Sequence, residues 1–294
     1  MSGYRDPLRP GRQLYLARAL RAAAVDPFEG VEKAREKLAA QYERARHGGT
    51  LAPPPGTYRV EAGWEQRLHE LCGEAWPCPL AGEFSRLWSD IVETMSRRGL
   101  RVGRQNYGGD DDGDPGLVRA TWCLTRHLPA TTIVETGVGH GVTSRGVLEA
   151  LLANGAGHLW SIDLPPLTIS ARTPEIGVAV PGDLREGDLR ASWSYVRGSS
   201  RRRLPALLRE LGEIDLFVHD SRHSTRNVLF ECERAFAALR PGGFLVVDDL
   251  DGNRGFTRFI SRQPQADWIV AEADDQQRCF GLARKRASPK HRNG

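Results

Sequence analysis

The pattern of hydrophobic and polar positions along this 294-residue chain changes near residue 130. From there on, apolar runs of strand length alternate with segments whose apolar residues recur every three or four positions. The predicted strands are TTIVET (131–136), HLWSID (158–163), WSYVRG (193–198), IDLFVHD (214–220), FLVVDD (244–249), DWIVAEA (267–273) and CFGLARK (279–285). The predicted helices between them are 144–155, 201–212, 225–243 and 256–263. Strands that alternate with helices predict βαβ units and a mostly parallel sheet.

The part of the chain before residue 130 has only a helical rhythm. Helical patterns occur at 29–47, 63–72, 82–99 and 117–128, and a proline-rich linker follows the first of them. We therefore predict an N-terminal helical extension over residues 1–115 and an α/β domain over residues 116–284. Residues 285–294 are predicted to be a disordered basic tail.

Composition narrows the class of protein. The chain is 40% hydrophobic and 27% charged, which is typical of a soluble globular protein. Its net charge of +4 comes from basic residues dispersed among 37 acids, and this dispersion argues against a nucleic-acid partner. No apolar run is long enough for a membrane span, and the N-terminus lacks the apolar core of a signal peptide.

The cysteines are few, and their spacing matches no simple metal or disulfide pattern. They are Cys72, Cys78, Cys123, Cys232 and Cys279. An odd number of unpatterned cysteines is typical of a reduced protein, so we expect a cytoplasmic location.

A glycine-rich turn, Gly137-Val138-Gly139-His140-Gly141, joins the first strand of the α/β region to its helix. Glycines spaced in this way allow the backbone to approach a ligand closely. The dinucleotide fingerprint GxGxxG would need glycine where Val142 stands, so a nicotinamide cofactor is disfavoured. Asp163 ends the next strand, where an acid is expected to bind ribose hydroxyls.

Three carboxylates follow two later strands. Asp220 ends one strand, and Asp248 and Asp249 end the next. If these strands are neighbours, the carboxylates converge and repel one another unless a hard cation such as Mg²⁺ compensates them. The alternative is that one acid contacts the cofactor while the others cap helices or face water. His223 follows Asp220 closely, and a neutral imidazole there could accept a proton from a substrate hydroxyl.

The segment ETGVGHGVTS, followed by WSIDLP, resembles the first two motifs of class I S-adenosylmethionine-dependent methyltransferases. The resemblance covers residues 116–284 and implies a Rossmann-like doubly wound sheet that ends in a reversed hairpin. It also implies a set of cofactor-binding residues. They are Glu135, Gly137, Gly139, Gly141, Thr143, Ser144, Asp163 and Ser199.

The carboxylates resemble those of metal-dependent O-methyltransferases that act on catechols and macrolide sugars. This resemblance implies Asp220, Asp248 and Asp249 as ligands of Mg²⁺, with Asn253 or Asp251 as a possible substitute. From their position over the same crevice, His223 and Asp220 are the candidate catalytic residues. The expected reaction is methylation of a hydroxyl on a small-molecule acceptor, by a chain that could form a homo-oligomer. Two alternatives stay open: a metal-independent N- or C-methyltransferase, and a protein that binds S-adenosylmethionine without catalysis.

Arginines 201–203 begin a predicted helix, where the helix dipole disfavours positive charge. They indicate either an anionic substrate or partner nearby or, in preference, a solvated turn.

Overall fold

The computed structural model describes residues 27–100, 102, 113–164, 176–181, 189–274 and 278–287. The strands in these ranges form one mixed sheet in the order β3-β2-β1-β4-β5-β7-β6. They are β1 (Thr132–Thr136), β2 (His158–Asp163), β3 (Trp193–Arg197), β4 (Ile214–His219), β5 (Leu239–Val247), β6 (Ala266–Glu272) and β7 (Cys279–Lys285). Strands β1 to β5 pair in parallel, whereas β7 is antiparallel to both β5 and β6.

Helices cover both faces of the sheet. They are α1 (Pro27–Arg46), α2 (Trp64–Cys72), α3 (Ala81–Arg97), α4 (Pro115–His127), α5 (Val142–Asn154), α6 (Ser200–Leu211), α7 (Thr225–Ala238) and α8 (Gly255–Ile260). Apolar side chains of α2 to α5 pack on one face of the sheet, and those of α6 to α8 pack on the other. Because both faces are covered, the middle residues of the central strands are apolar and buried, as Ile133 and Val134 are on β1 and Leu216, Phe217 and Val218 are on β4.

The order of the strands reverses between β1 and β4. The chain runs outward from β1 through β2 to β3, and then returns to place β4 on the other side of β1. In open α/β sheets, ligands bind beyond the carboxyl ends of the strands at such a reversal. This is where the glycine-rich turn after β1 and the acidic segment after β4 lie.

The structure confirms the predicted doubly wound sheet, including the antiparallel pair at its end. The largest difference in a boundary is at the helix predicted over 225–243, which ends at Ala238, and β5 then begins at Leu239. Pro241 explains the difference, because proline has no N–H to donate within a helix and disfavours helical geometry at the preceding residue.

The boundaries of the extension and the α/β domain stay predictions, and most of the predicted tail lies outside the described residues. None of the described helices is long and apolar enough to span a membrane.

A buried carboxylate on α7 connects the carboxyl ends of β1 and β4. Glu231 is fully buried and accepts hydrogen bonds from Thr136 Oγ1 at the end of β1 and from His219 Nδ1 at the end of β4. Its second oxygen accepts hydrogen bonds from Ser221 Oγ (2.9 Å) and Asn227 Nδ2 (2.8 Å). Burial by itself would raise the pKa of Glu231, but His219 and these hydrogen bonds lower it to about 2.

We predict that Glu231→Gln flattens the dependence of stability on pH in the acidic range. Since the pKa in the fold, about 2, lies below the usual 4.5, the carboxylate stabilises the fold above about pH 4.5. That contribution is lost as pH falls towards 2. Through this group the wild type should lose on the order of 3 kcal/mol of unfolding free energy across the range.

Urea unfolding between about pH 5 and about pH 3 measures this difference. Glu210→Gln, which removes an exposed carboxylate on α6, is the matched control and should retain the wild-type slope. Equal slopes for Glu231→Gln and the wild type would show that Glu231 does not titrate as described.

Candidate active site

The glycine-rich turn after β1 requires glycine because of close backbone approaches. Gly137 has a φ of +84°, and a Cβ atom there would collide with the carbonyl oxygen of Asp220. Its N–H donates to Ile162 O at the end of β2 (2.9 Å). Gly141 has a φ of +81°, and a Cβ atom there would lie 2.8 Å from Gly177 Cα. The turn is therefore packed directly against the segments that surround it.

Asp163, at the end of β2, holds this turn in place. Its Oδ2 accepts hydrogen bonds from the N–H groups of Val138 (2.8 Å) and Gly139 (3.1 Å), and its Oδ1 accepts one from Leu164 N (2.6 Å). Burial raises the pKa of Asp163 although these hydrogen bonds act to lower it. Carboxylate oxygens have further lone pairs, so Asp163 can order the turn and also accept hydroxyl groups of a ligand.

A cavity of about 300 Å³ opens beside the turn, at the reversal of strand order. It brings together five of the residues predicted from sequence. They are Gly137, Gly139, Asp163, Ser199 and Asp220. The Oγ atom of Ser199 is buried and has no hydrogen-bond partner among the described residues. Because buried hydroxyls are normally hydrogen-bonded, this atom is a candidate contact for a ligand in the cavity.

The other predicted cofactor residues lie beneath the turn rather than on the cavity wall. Glu135 is buried, and its Oε2 accepts hydrogen bonds from Ser144 Oγ (2.6 Å) and Ser161 Oγ (2.7 Å). Burial raises the pKa of Glu135 to about 7, against the opposing effect of these two hydroxyls. Thr143 is also buried on α5. In this structure Glu135 and Ser144 support the turn, and their contact with a cofactor stays a prediction.

Helix α1 also contributes to the cavity, a role that no pattern in the sequence indicated. Glu32 of α1 lines the cavity beside Arg201 of α6. Arg226 Nη1 lies 2.9 Å from both Glu32 Oε2 and Glu36 Oε1, and Arg201 lies 3.4 Å from each of the same carboxylates. Glu36 also accepts a hydrogen bond from Ser224. The anions that lie beside Arg201 are therefore Glu32 and Glu36 of the same chain, and not a substrate or a partner.

Strands β4 and β5 are neighbours, as the proposed convergence of the carboxylates requires. His219 pairs with Val247 in the parallel register, so Asp220 and Asp248 follow at the same edge of the sheet. Asp220 N donates to Thr136 O (2.8 Å), and Asp248 N donates to His219 O (3.0 Å). Each backbone is thereby fixed to the strand beside it.

Asp220, His223 and Asp248 form a compact cluster at this edge. One ligand atom from each of the three lies within 4.8 Å of the others. Burial, followed by the charge of Asp220, raises the pKa of Asp248 well above its usual value. Two oxygen donors and one imidazole are thus placed close enough to hold a cation between them.

His223 lies between the carboxylates and is charged near neutral pH in this arrangement. Its Nδ1 is 3.0 Å from Asp249 Oδ2, and its Nε2 is 3.6 Å from Asp220 Oδ1. Burial by itself lowers the pKa of His223, but Asp220, Asp249 and Asp248 together raise it to about 10. The same carboxylates that attract a cation therefore also retain the proton on His223, and its role as a base stays a prediction.

Asp249, a predicted metal ligand, lies on the far side of His223 from Asp220. Its Oδ1 accepts a hydrogen bond from Arg278 Nη1 (3.1 Å), and these partners lower its pKa although burial acts to raise it. Its φ of +54° is in the left-handed region, a strained conformation that often occurs at functional sites. The structure therefore places Asp249 where it orients His223, and its role as a ligand stays a prediction.

The two residues considered as substitutes for these acids are already bound elsewhere. Asn253 Nδ2 donates to Asp249 O (3.0 Å), and its Oδ1 accepts from Gly255 N (2.8 Å). Asp251 Oδ2 accepts a hydrogen bond from Cys279 N (2.7 Å). Both residues order the turn after β5.

Comparisons with known proteins agree with this architecture. Residues 134–250 match the family described as a methyltransferase domain. The fold is similar to that of an O-methyltransferase from Bacillus cereus in complex with SAH, with 16% identity and a TM-score of 0.51 over 76% of this chain and 98% of that chain. It is also similar to TomG from Streptomyces achromogenes, an O-methyltransferase of tomaymycin synthesis in complex with SAM. That similarity has 18% identity and a TM-score of 0.50 over 68% of this chain and 90% of that chain. No curated protein matches the chain.

We predict that Gly137→Ala is much more destabilising than Gly139→Ala. Both glycines have positive φ, +84° and +50°, so alanine is strained at either position by about 1 kcal/mol or more. Only at Gly137 does the added Cβ also meet backbone, and the displacement should cost at least about 2 kcal/mol more. Thermal unfolding of the two variants measures the difference, and equal losses would contradict the close packing of the turn on Asp220.

Proposed function

We propose that the chain, a class I S-adenosylmethionine-dependent methyltransferase by its matched domain and its fold, transfers the methyl group to a hydroxyl of a small molecule. One observation carries this proposal. Asp220 belongs both to the wall of the glycine-lined cavity and to the cluster with His223 and Asp248. A cofactor in the cavity and an acceptor at the cluster would therefore meet at the same strand end.

The cavity fits the adenosine part of S-adenosylmethionine. Gly137 and Gly139 line the cavity without side chains, and Asp163 offers carboxylate oxygens for the ribose hydroxyls. The unpartnered Ser199 hydroxyl lies in the same cavity and is available to the adenine. Glu32 and Arg201 extend the wall from outside the glycine turn, so α1 helps to enclose the cofactor.

The cluster at the end of β4 and β5 fits a divalent cation such as Mg²⁺. Asp220 and Asp248 offer the hard oxygen ligands that Mg²⁺ prefers. Burial, followed by the charge of Asp220, raises the pKa of Asp248, and a cation would favour its ionised form. His223 Nε2 is buried and has no hydrogen-bond partner among the described residues. We propose Asp220 and Asp248 as the ligands, with Asp249 acting through His223.

The chemistry comes from the bound groups, and the chain supplies position and proton transfer. S-adenosylmethionine provides an electrophilic methyl group, and a bound Mg²⁺ would lower the pKa of an acceptor hydroxyl. Asp249 holds Nδ1 of His223 and directs Nε2 towards Asp220. A cation held by Asp220 and Asp248 would offset the charges that keep the proton on His223, and Nε2 would then be able to accept the hydroxyl proton.

One observation favours a metal-independent reaction, on nitrogen or carbon, as the second candidate. The protonated His223 already places a positive charge among Asp220, Asp248 and Asp249. In that case the proton, instead of a cation, compensates the carboxylates, and His223 cannot act as a base in its charged form. The two candidates differ in whether the cluster binds a divalent cation.

We predict that Asp163→Ala weakens the binding of S-adenosylmethionine at least about tenfold. The variant loses the carboxylate that would accept hydrogen bonds from the ribose hydroxyls. It also loses the hydrogen bonds by which Asp163 holds the glycine turn. Calorimetric titration of the folded protein measures the dissociation constant. Glu272→Gln changes an exposed acid on β6 and should bind like the wild type. Unchanged affinity in Asp163→Ala would contradict the assignment of the cavity.

We predict that Asp248→Asn weakens the binding of a divalent cation at least about tenfold, because it removes one of two carboxylate ligands. Electron paramagnetic resonance of Mn²⁺, used as the probe, measures the bound fraction without any knowledge of the acceptor. Asp267→Asn, which alters a carboxylate on β6 that lies 3.4 Å from Arg286, is the control and should bind Mn²⁺ like the wild type.

Methyl transfer from labelled S-adenosylmethionine to a panel of phenolic and sugar hydroxyls then tests the reaction itself. Under metal-assisted O-methylation, a chelator should abolish transfer in the wild type. Transfer to amine or carbon acceptors that a chelator leaves unchanged, together with no Mn²⁺ binding and no transfer to the hydroxyls, would favour the metal-independent candidate.

A further inference from the structure

Four residues that bind soft and borderline metals converge on the helical side of the molecule, away from the candidate active site. His69 belongs to α2, Cys78 to the segment between α2 and α3, and Cys123 and His127 to the last turns of α4. One ligand atom from each residue lies within 4.8 Å of those of the other three. His127 precedes the start of β1, so this cluster lies towards the amino ends of the strands, opposite the carboxylates.

We propose that these four residues form a structural zinc site that joins α2 and the segment after it to α4. Two cysteines and two histidines are the ligand set of closed, tetrahedral zinc sites. Cys123 and His127 are four residues apart on a helix and therefore present their side chains on the same face. With four protein ligands the site has no open position for substrate, which is typical of a structural role.

The histidines are oriented as metal ligands are. His69 is 2% exposed, and its Nδ1 lies 2.7 Å from the carbonyl oxygen of Glu65, which can only accept a hydrogen bond. The proton is thereby fixed on Nδ1, and Nε2 is left as a lone pair with no hydrogen-bond partner among the described residues. His127 Nδ1 lies 3.7 Å from Glu74 Oε2, which is close enough for an electrostatic contact but too far for a direct hydrogen bond. Zinc-binding histidines usually donate their second ring nitrogen to a carbonyl or carboxylate, as His69 does.

The spacing of the donor atoms agrees with a small tetrahedral ion. Cys78 Sγ lies 3.4 Å from His127 Nε2. Two ligands at usual zinc–sulfur and zinc–nitrogen distances are about 3.5 Å apart in tetrahedral geometry. A hydrogen bond between Cys78 and His127 would explain this one contact, but it leaves His69 Nε2 buried and unsatisfied. A single zinc ion satisfies all four side chains.

The site accounts for how the irregular segment between α2 and α3 is held in place. In this segment, residues 73–80, Leu80 packs against the core whereas Trp76 is exposed. A zinc ion bound to Cys78 would attach this segment to α4, which packs directly on α5 after the glycine turn. The helical extension would then be fixed to the α/β domain at this point by metal bonds.

The first experiment measures zinc in the tag-free protein, purified under reducing conditions, by elemental analysis. We expect one zinc ion per chain, and its loss in Cys78→Ser and Cys123→Ser. Cys72→Ser, on α2 but outside the cluster, and Asp248→Asn, in the carboxylate cluster, should both retain the wild-type zinc content. Removal of zinc by a strong chelator should lower the midpoint of thermal unfolding by about 5 °C or more.

A second measurement does not depend on the folding of any variant. Wild-type protein reconstituted with Co²⁺ should show the absorption bands of tetrahedral cobalt and of thiolate-to-cobalt charge transfer. The proposal is overturned if the folded wild type contains no stoichiometric zinc and gives no tetrahedral cobalt spectrum. It is equally overturned if Cys78 and Cys123 form a disulfide in the reduced preparation, or if both serine variants retain zinc.

Discussion

Parallel pairing of β1 with β4, and of β4 with β5, is the constraint on which the candidate active site depends. Each strand end is fixed by a backbone hydrogen bond to the strand beside it, from Asp220 N to Thr136 O and from Asp248 N to His219 O. The glycine turn can lie against Asp220 only because Gly137 has no side chain. A shift of one residue in either strand would direct the carboxylates to opposite faces and separate the cavity from the acidic cluster.

The electrostatic consequence of this pairing is a concentration of buried negative charge. In the structure described here, the charge is compensated by the proton on His223, and on the far side by Arg278 against Asp249. The left-handed backbone of Asp249 costs on the order of 1–3 kcal/mol and keeps its carboxylate against His223. A proton on His223 and a bound cation would compensate the same carboxylates. The protonation state of His223 therefore depends on whether the cluster binds the proposed metal.

The helical extension is attached to the α/β domain by polar contacts of two different kinds. On the cofactor side, Glu32 and Glu36 of α1 pair with Arg201 and Arg226 of the domain. On the other side, the proposed zinc ligands connect α2 and the following segment to α4. Apolar packing of α2 and α3 onto α4 lies between them. Helix α1 of the extension thus encloses part of the cavity, and α2 and α3 pack against α4 of the domain.

The sequence by itself determined the order of strands and helices, because period-two and period-3.6 patterns are local and the apolar runs of buried parallel strands are continuous. It also determined that Gly137, Asp163, Asp220 and Asp248 stand at strand ends, since each ends or directly follows a segment with the pattern of a strand. Only the tertiary structure decided the features that depend on residues far apart in sequence. They include the charge on His223, the position of Asp249 and the pairing of Arg201 with α1. They also include the cluster of His69 and Cys78 with Cys123 and His127. A pKa depends on burial and on every nearby charge, and a metal site depends on where its donor atoms lie in space. Neither produces a recognisable pattern among residues that are adjacent in the sequence.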